Sequence, residues 1–269
     1  MLSIIISSYQ SAYFSSLQEN VIATIGVPYE IIKVDNPGLM GICEAYNLGA
    51  EKANFDYLLF LHEDTEFVTT NWGEKLLPLL VDEKNGVIGL AGSTYVPNVP
   101  FAWWDKYENT IMNIQQFNKK SEIRNYSITE NKEAIVLDGV FLACRRIVWQ
   151  EFKFNPDIKS FHAYDLDFSV RVSKKYNNII LHSIKLKHFS EGNPDNEWWN
   201  SILESRKFFT APSKQQTNKK TELFFYKKLE ERLIEFNISG KKSILLKYNS
   251  PFYIGFKFSL KNFFVQLLK

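Results

Sequence analysis

Cysteine is scarce in this sequence of 269 residues, which contains Cys43 and Cys144 and no others. The two lie in apolar surroundings, GICEAYN and VFLACRR, and no CxxC spacing occurs. Two isolated thiols exclude a disulfide framework and a cysteine-rich zinc site. We expect both to be reduced and buried, as small apolar side chains of a cytoplasmic protein.

Glycine is missing where dinucleotide- and triphosphate-binding proteins need it. The segment SSYQSAYFSS, which follows the first predicted strand, contains none. A Rossmann fingerprint and a P-loop both require glycines at this turn, because the backbone must approach a phosphate closely. The sequence therefore argues against NAD, FAD and P-loop chemistry, and it disfavours a sugar-1-phosphate nucleotidyltransferase.

Long apolar runs are also absent. No stretch reaches 18 consecutive apolar residues, so the sequence predicts no membrane span. The beginning, MLSIIISSYQ, has no basic start and only a short apolar run, so no secretory signal is predicted. Apolar residues nevertheless make up 45% of the chain, which is enough for a sizeable core. We therefore expect a cytoplasmic globular protein.

Charge is unevenly distributed along the chain. From Arg206 to Lys269 there are 14 Lys and Arg against four Asp and Glu, whereas the preceding part is acidic. The sequence predicts a domain over residues 1–210 and a basic helical extension over residues 211–269. The extension mixes aromatic residues with lysines. It either packs on the domain or a second subunit, or lies on an anionic membrane surface.

Strand and helix patterns alternate through the first 92 residues and predict an α/β fold with a mostly parallel sheet flanked by helices. Ligands of such sheets bind beyond the carboxyl ends of the strands. The predicted strands end on polar residues, which are Ser7, Ser8, Tyr9, Asp35, Asn36, His62, Glu63 and Asp64. We therefore expect a binding site at this edge.

Asp64 is the strongest candidate for a metal ligand, because a hard carboxylate suits Mg²⁺ or Mn²⁺. The alternative is a solvated loop acid or a helix cap. Glu63 is expected to point away, since neighbours on an extended chain face opposite sides. His188, which follows a later predicted strand, either packs structurally or completes a metal site with Asp64.

Two short segments that contain aspartates have open alternatives. Asp165 and Asp167 stand at a predicted helix start, where acids stabilise the helix dipole, but a carboxylate there is also a possible general base. Asp138 and Gly139 end a strand-like run and form either a turn or a substrate contact. The tryptophan pairs at 103–104 and 198–199 either stack on sugar rings or fill the core.

Five segments, in this order, resemble those of the GT-A glycosyltransferases, in particular the inverting family 2 in its small bacterial branch. They are LSIIISSYQ, EIIKVDNPG, EAYNLGAEKANFDYLLFLHEDTEF, LDGVFLACRR and FHAYDLDFSVRV. The resemblance spans roughly residues 1–192. It implies an enzyme that moves a sugar from a nucleotide-diphosphate sugar, with UDP favoured, to a hydroxyl acceptor with inversion. It also implies a divalent metal, Mn or Mg, and a part in bacterial surface glycan synthesis.

The resemblance assigns roles to matched positions. Ser8, Tyr9, Asp35 and Asn47 match residues that bind the nucleotide in the family. Asp64 matches the last acid of the DxD metal motif, with His62 in place of the first acid. His188 matches a late metal-ligating histidine.

Asp165 matches the catalytic base of a Glu-Asp motif, although Tyr164 replaces the glutamate. Asp138, Gly139 and Asp167 are expected to contact substrate. A glycan or lipid-linked acceptor is expected, with a location at the inner face of the membrane and a homodimer as further options. The altered motifs keep open a non-catalytic nucleotide- or glycan-binding protein on the same fold.

Overall fold

The computed structural model of this protein describes residues 1–118, 121–190, 192 and 194–268. The strands are β1 (Leu2–Ser8), β2 (Tyr29–Asp35), β3 (Tyr57–Leu61), β4 (Thr65–Phe67), β5 (Asn85–Gly89), β6 (Ala91–Ser93), β7 (Thr110–Met112), β8 (Ile114–Phe117), β9 (Glu122–Asn125), β10 (Lys132–Ala134), β11 (Val136–Leu137), β12 (Phe141–Arg145), β13 (Asn177–Ile180) and β14 (Leu186–His188).

The helices are α1 (Ser11–Thr24), α2 (Ile42–Lys52), α3 (Trp72–Val81), α4 (Arg146–Phe152), α5 (Tyr164–Ser173), α6 (Asn196–Ser205), α7 (Lys219–Glu235), α8 (Lys241–Tyr248), α9 (Pro251–Ile254) and α10 (Phe256–Leu268). Tyr107–Asn109 form a 3₁₀ turn. None of the helices in the described part of the chain is both long and apolar enough to cross a membrane. Lys269, the last residue of the predicted extension, lies outside the described residues.

A seven-stranded sheet in the order β10-β13-β5-β12-β3-β1-β2 forms the centre of the molecule. β1 pairs in parallel with β2 and β3, and β13 pairs in parallel with β5. β12 runs antiparallel between β3 and β5, and β10 runs antiparallel to β13. The α/β prediction is confirmed, but the reversal of β12 brings its beginning, not its end, to the edge where β1 and β3 end.

Alternating side chains of the central strands pack into two cores, one on each face of the sheet. Ile4 and Ile6 of β1 belong to one core and Ile5 belongs to the other, as the two-residue period of a strand requires. Cys43 and Cys144 lie in the second core, both free and buried, as predicted. α7 joins the first core through four buried side chains, which are Phe225, Tyr226, Leu229 and Leu233.

The start of α3 lacks the side-chain cap that an asparagine before a helix usually provides. Asn71 stands at the N-cap position, but it adopts φ 53° and its side chain makes no capping hydrogen bond. Pro78 lies inside the helix, where it removes one backbone donor, and the helix continues to Val81. Leu76 and Leu80 are buried, so packing of this face against the core maintains the helix.

Candidate active site

A cleft of about 1070 Å³ opens at the edge of the sheet where β1 and β3 end. Tyr9, His62 and Asp64 line it from the turns that follow these strands. Asp138 and Gly139 reach it just before β12, where the His62 N–H donates to the carbonyl of Val140 at 3.2 Å. Antiparallel pairing of β12 with β3 therefore places two separate acidic segments in one cleft.

Strand register places His188 against Asp64. β14 pairs antiparallel with β4 so that His188 lies opposite Thr65, and the Phe189 N–H donates to the Asp64 carbonyl at 2.9 Å. His188 Nε2 then lies 3.6 Å from Asp64 Oδ1. His62 Nδ1 lies 3.9 Å from the same oxygen. One ligand atom from each of the three side chains falls within 4.8 Å of the others, which is the spacing of a metal site.

The His188 ring is oriented so that one nitrogen is available to a metal. Its Nδ1 lies 3.3 Å from the Gln116 side-chain nitrogen and 3.4 Å from the Gln116 side-chain oxygen, the two ends of one amide. Nε2 is buried and has no hydrogen-bond partner among the described residues. Burial lowers the pKa of His188, and the nearby Asp64 opposes that shift. A neutral imidazole aimed at a carboxylate, with its other nitrogen held by an amide, fits a metal ligand.

Glu63 points away from the cluster of Asp64, His62 and His188, as predicted, and toward the turn after β1. Its Oε1 accepts hydrogen bonds from the backbone N–H groups of Tyr9, at 3.2 Å, and Gln10, at 3.0 Å. The alternation of neighbours along the chain does turn Glu63 away from Asp64, but the opposite direction faces the turn after β1. Glu63 therefore fixes that turn at the wall of the cleft.

Asp165 lies at the first turn of α5 and lines the same cleft as Asp64. Its Oδ2 accepts a hydrogen bond from the Gly139 N–H at 3.0 Å, and its Oδ1 accepts one from the Leu166 N–H at 2.9 Å. Burial, and next the charge of Asp138, raise the pKa of Asp165 to about 7. A buried carboxyl with a pKa near neutrality can accept a proton under ordinary conditions.

The two positions where the sequence departs from the family motifs contact each other. His62 Nε2 and the Tyr164 hydroxyl lie 2.8 Å apart. Gly139 allows this arrangement, because a side-chain carbon at that position would overlap the Tyr164 hydroxyl. Tyr164 therefore links the histidine-aspartate cluster to the segment that holds Asp165. Neither this contact nor the role of Gln116 had a local sequence signal.

Two predicted ligands also have structural contacts. Asn47 Oδ1 accepts hydrogen bonds from Trp149 Nε1 and the Phe154 N–H, and its Nδ2 donates to the Phe154 carbonyl. Those bonds attach α2 to α4 and to the loop after it, and the nucleotide contact of Asn47 stays a prediction. Asp167 is fully buried and pairs with Arg171 at 2.7 Å, and its substrate contact stays a prediction.

The remaining predicted nucleotide ligands lie at the same edge. Ser8 is buried beside the cleft, and its neighbours Ser7 and Tyr9 line it. Asp35 lies opposite Ser8 in the sheet register, exposed and paired with Lys33 at 2.6 Å. Their roles stay predictions.

An aromatic wall stands on another side of the cleft. Trp104 stacks on Trp198 with ring centroids 5.6 Å apart, and both line the cleft. Trp199, in contrast, is fully buried. Trp103 also lines the cleft, so three of these four tryptophans reach it.

Known proteins resemble this chain in family and in fold. A family model described as a glycosyltransferase-like family matches residues 3–223. The crystal structure of GalNAc-T7 with UDP, GalNAc and Mn²⁺ is similar at a TM-score of 0.55 and 12% identity, over 99% of this chain and 57% of that one. The chain therefore spans little more than half the length of GalNAc-T7.

The crystal structure of residues 1–349 of S. aureus TarS with UDP-GlcNAc gives a TM-score of 0.49 at 12% identity, over 92% of this chain and 71% of that one. No curated protein matches the sequence. The similarity to GalNAc-T7 identifies the fold as GT-A, as the sequence resemblance predicted.

Proposed function

Since the chain belongs to the glycosyltransferase-like family, we propose that it transfers a sugar from a nucleotide-diphosphate sugar to a hydroxyl acceptor with inversion of configuration. UDP is the first donor nucleotide to test, because the GT-A protein GalNAc-T7 was crystallised with UDP. A glycan or a lipid-linked hydroxyl is the proposed acceptor, in the synthesis of a bacterial surface glycan.

The observation that carries this proposal is the shared cleft. A cluster of two histidines and one aspartate and a separate buried carboxyl of raised pKa line the same space. A transferase that inverts in one displacement needs a group that steadies the leaving diphosphate and a base for the acceptor hydroxyl. The cleft supplies residues suited to each task.

Asp64, His188 and His62 are the residues that would hold a divalent cation. Their donor set, two imidazoles and one carboxylate, suits Mn²⁺ better than Mg²⁺, because Mg²⁺ prefers oxygen ligands. Such a cation would offset the negative charge of a diphosphate. GalNAc-T7 was also crystallised with Mn²⁺. The Gln116 amide and the Tyr164 hydroxyl orient the two imidazole rings through their other nitrogens.

Asp165 is the proposed general base. The Gly139 and Leu166 N–H groups hold its two oxygens in place, and Asp138 raises its proton affinity. In its ionised form it takes the proton of the acceptor hydroxyl as that oxygen attacks the anomeric carbon. The aromatic wall of Trp104 and Trp198 offers flat surface for a sugar ring.

A thermal-shift screen of nucleoside diphosphates and nucleotide sugars, with and without Mn²⁺, tests donor binding first. A ligand present at 100 times its dissociation constant stabilises the fold by about 2.7 kcal/mol, so the melting temperature rises measurably. The best donor is then assayed for sugar transfer and slow hydrolysis. No shift with any nucleotide sugar in Mn²⁺, combined with no turnover, would contradict the proposal.

The second candidate function is a non-catalytic binding protein on the same fold. Replacement of the family's first motif acid by His62 and of its glutamate by Tyr164 favours this option. A pure binder would show a Mn²⁺-dependent shift with a nucleotide sugar but neither transfer nor hydrolysis. The two assays together therefore separate the candidates.

A further inference from the structure

The last helix of the described chain, α10, buries polar side chains and exposes large apolar ones. Ser259, Asn262 and Gln266 of α10 are buried against the rest of the molecule. Asn262 Nδ2 donates to the Tyr226 hydroxyl of α7 at 2.6 Å, and Ser259 Oγ donates to the carbonyl of Asn249 at 3.2 Å. The inner face of α10 is therefore attached by polar contacts in addition to Phe258, whose ring packs edge-on against Tyr226.

Large apolar side chains of this region face outward instead. The exposed fractions of the side chains are 67% for Phe252, 70% for Phe256, 46% for Leu260, 43% for Phe263 and 55% for Phe264. At 3.6 residues per turn, the last four lie within about 100° of one another around α10. We call these five residues the outer stripe. Single exposed apolar residues are common, but four large apolar side chains along one side of α10, next to Phe252 of α9 in the chain, indicate an interaction surface.

The charges beside the outer stripe have one sign. Lys257 and Lys261 are exposed and follow the stripe around the helix. From Phe236 to Lys269 the sequence contains six lysines and no aspartate or glutamate. A partner of this surface must therefore tolerate or attract positive charge as well as accept phenylalanine side chains.

We propose that the outer stripe docks on an anionic lipid surface. Phenylalanine and leucine side chains enter the boundary between headgroups and acyl chains, while lysines next to them contact anionic headgroups. α10 has 13 residues, too few to span a bilayer, so it lies in the plane of the surface. A second copy of the chain is disfavoured as the partner, because joining two outer stripes would bring their lysines together.

Sedimentation of the full chain with lipid vesicles tests this proposal. Vesicles of phosphatidylcholine alone are compared with vesicles of phosphatidylcholine and phosphatidylglycerol, both at low and high salt. We expect the chain to pellet with the anionic vesicles and to bind them more weakly, but not to detach completely, as salt rises, because only the electrostatic part is screened. Equal binding to both vesicle types, or no binding to either, would overturn the proposal.

Two pairs of substitutions separate the apolar and charged contributions. Lys257→Gln with Lys261→Gln should weaken binding to anionic vesicles about 30-fold, if each lysine contributes about fivefold near the surface. Phe256→Gln with Phe264→Gln should remove most of the binding that persists at high salt. Both side-chain pairs are exposed, so the melting temperature should stay that of the parent chain.

Matched control variants carry the same changes elsewhere on the surface. Lys75→Gln with Lys84→Gln removes two exposed lysines of the body, and Ile22→Gln with Val81→Gln removes two exposed apolar side chains. We expect both controls to bind vesicles like the parent. If the controls lose as much binding as the α10 variants, the outer stripe is not the docking surface.

Sedimentation velocity without lipid tests the competing partner, a second copy. With a second copy as the partner, the parent chain would sediment as a dimer and the variant with Phe256→Gln and Phe264→Gln as a monomer. If vesicle binding is also absent, that result would overturn the proposal and show self-association through the outer stripe. The experiments use no nucleotide sugar. Their failure would therefore leave the proposed transfer chemistry untouched, and failure of the transfer assay would leave docking untouched.

Discussion

The carboxyl groups of Asp165 and Asp138 lie close together in the cleft, and burial, together with their interaction, determines how the ionisation of Asp165 depends on pH. Asp165 is buried with its oxygens fixed by backbone N–H groups, and the charge of Asp138 adds to the effect of burial. Burial and the charge of Asp138 raise the pKa of Asp165 from 3.8 to about 7, although the hydrogen bonds from the backbone N–H groups act in the opposite direction. The ionised form, which the proposed base requires, is thus the less favourable one below neutrality.

If Asp165 is the base, kcat/KM for sugar transfer should rise tenfold per pH unit below about 7 and level off above it. The Asp165→Asn variant should lose about 10²–10⁴-fold in kcat and show no such step. It should retain the thermal shift given by nucleotide sugar and Mn²⁺. A parent-like rate in this variant would remove Asp165 from the role.

The same raised pKa predicts a pH dependence of stability. The unfolded chain loses the Asp165 proton near its ordinary pKa of 3.8, whereas the folded chain keeps it up to a pKa of about 7. This group therefore stabilises the fold fully below about pH 4, and the stabilisation is lost as pH rises through 7. The slope approaches about 1.4 kcal/mol per pH unit. Denaturant unfolding of parent and Asp165→Asn should differ by that slope, and parallel profiles would contradict it.

Gln116 should support metal binding through His188, although it would not touch the metal itself. Gln116→Leu removes the amide that orients the imidazole, so the affinity for Mn²⁺ should fall about 10–100-fold. Gln115→Leu is the matched control, because neighbouring side chains on β8 point to opposite faces. Calorimetric titration with Mn²⁺ measures both. Equal affinities in the two variants would show that Gln116 does not position the ring.

The sequence located the cleft better than it assigned single side chains within it. Residues at strand ends and in the resembling motifs led to Asp64, His188 and Asp165, which do line one cleft. The structure shows further partners for Asn47 and Asp167, because an amide can bond to a distant backbone and a carboxylate can pair with a residue one helical turn away. Sequence spacing carries no information about the bond between Asn47 and Phe154, whereas Asp167 and Arg171 stand four residues apart, the spacing of a helical ion pair.

At the scale of elements, α7 connects the outer part of the chain to the wall of the cleft. Its Arg232 forms an ion pair with Asp105, whose side chain is only 4% exposed. The guanidinium also lies 5.2 Å from the ring of Trp198 and 5.3 Å from that of Trp199. A helix of the predicted extension thus contacts the loop that carries Trp103 and Trp104.

Arg232→Ala should destabilise the fold by roughly 3 kcal/mol, since it leaves a mostly buried carboxylate without its cation. The melting temperature should fall by roughly 6–12 °C. Adding Asp105→Asn should restore part of the loss, because the amide needs no counter-charge. Lys228→Ala, which removes an exposed pair with Glu231, serves as control and should cost less than about 1 kcal/mol. A loss for Arg232→Ala no larger than that of the control would show the buried pair to be unimportant.

Element types followed from the sequence more readily than element directions. The patterns of the first 92 residues, the helix start at Asp165 and the helical stretch after residue 210 predicted the types of the elements observed there. The run VFLACRR predicted a strand as well, but nothing in it indicates that β12 runs antiparallel inside the sheet. Direction depends on how the long preceding segment, residues 93–132, folds back, and that segment forms short strands that its composition did not reveal.

At the scale of the whole molecule, one sheet separates two cores, and both thiols belong to the same one. Burial raises the pKa of Cys43 and of Cys144 to about 12. A thiol-reactive dye needs access and a thiolate, and the folded chain offers neither. We expect both cysteines to react only as the chain unfolds in denaturant. A thiol that reacts at the rate of a free cysteine in native buffer would contradict this packing.

Gly139 has a consequence that reaches beyond its own backbone. A methyl group at this position would push the phenol ring of Tyr164, which in turn would displace the imidazole of His62. The same glycine gives its N–H to Asp165. Gly139 therefore helps to position both His62 and Asp165. A larger residue at this one position should disturb the candidate metal site and the proposed base together.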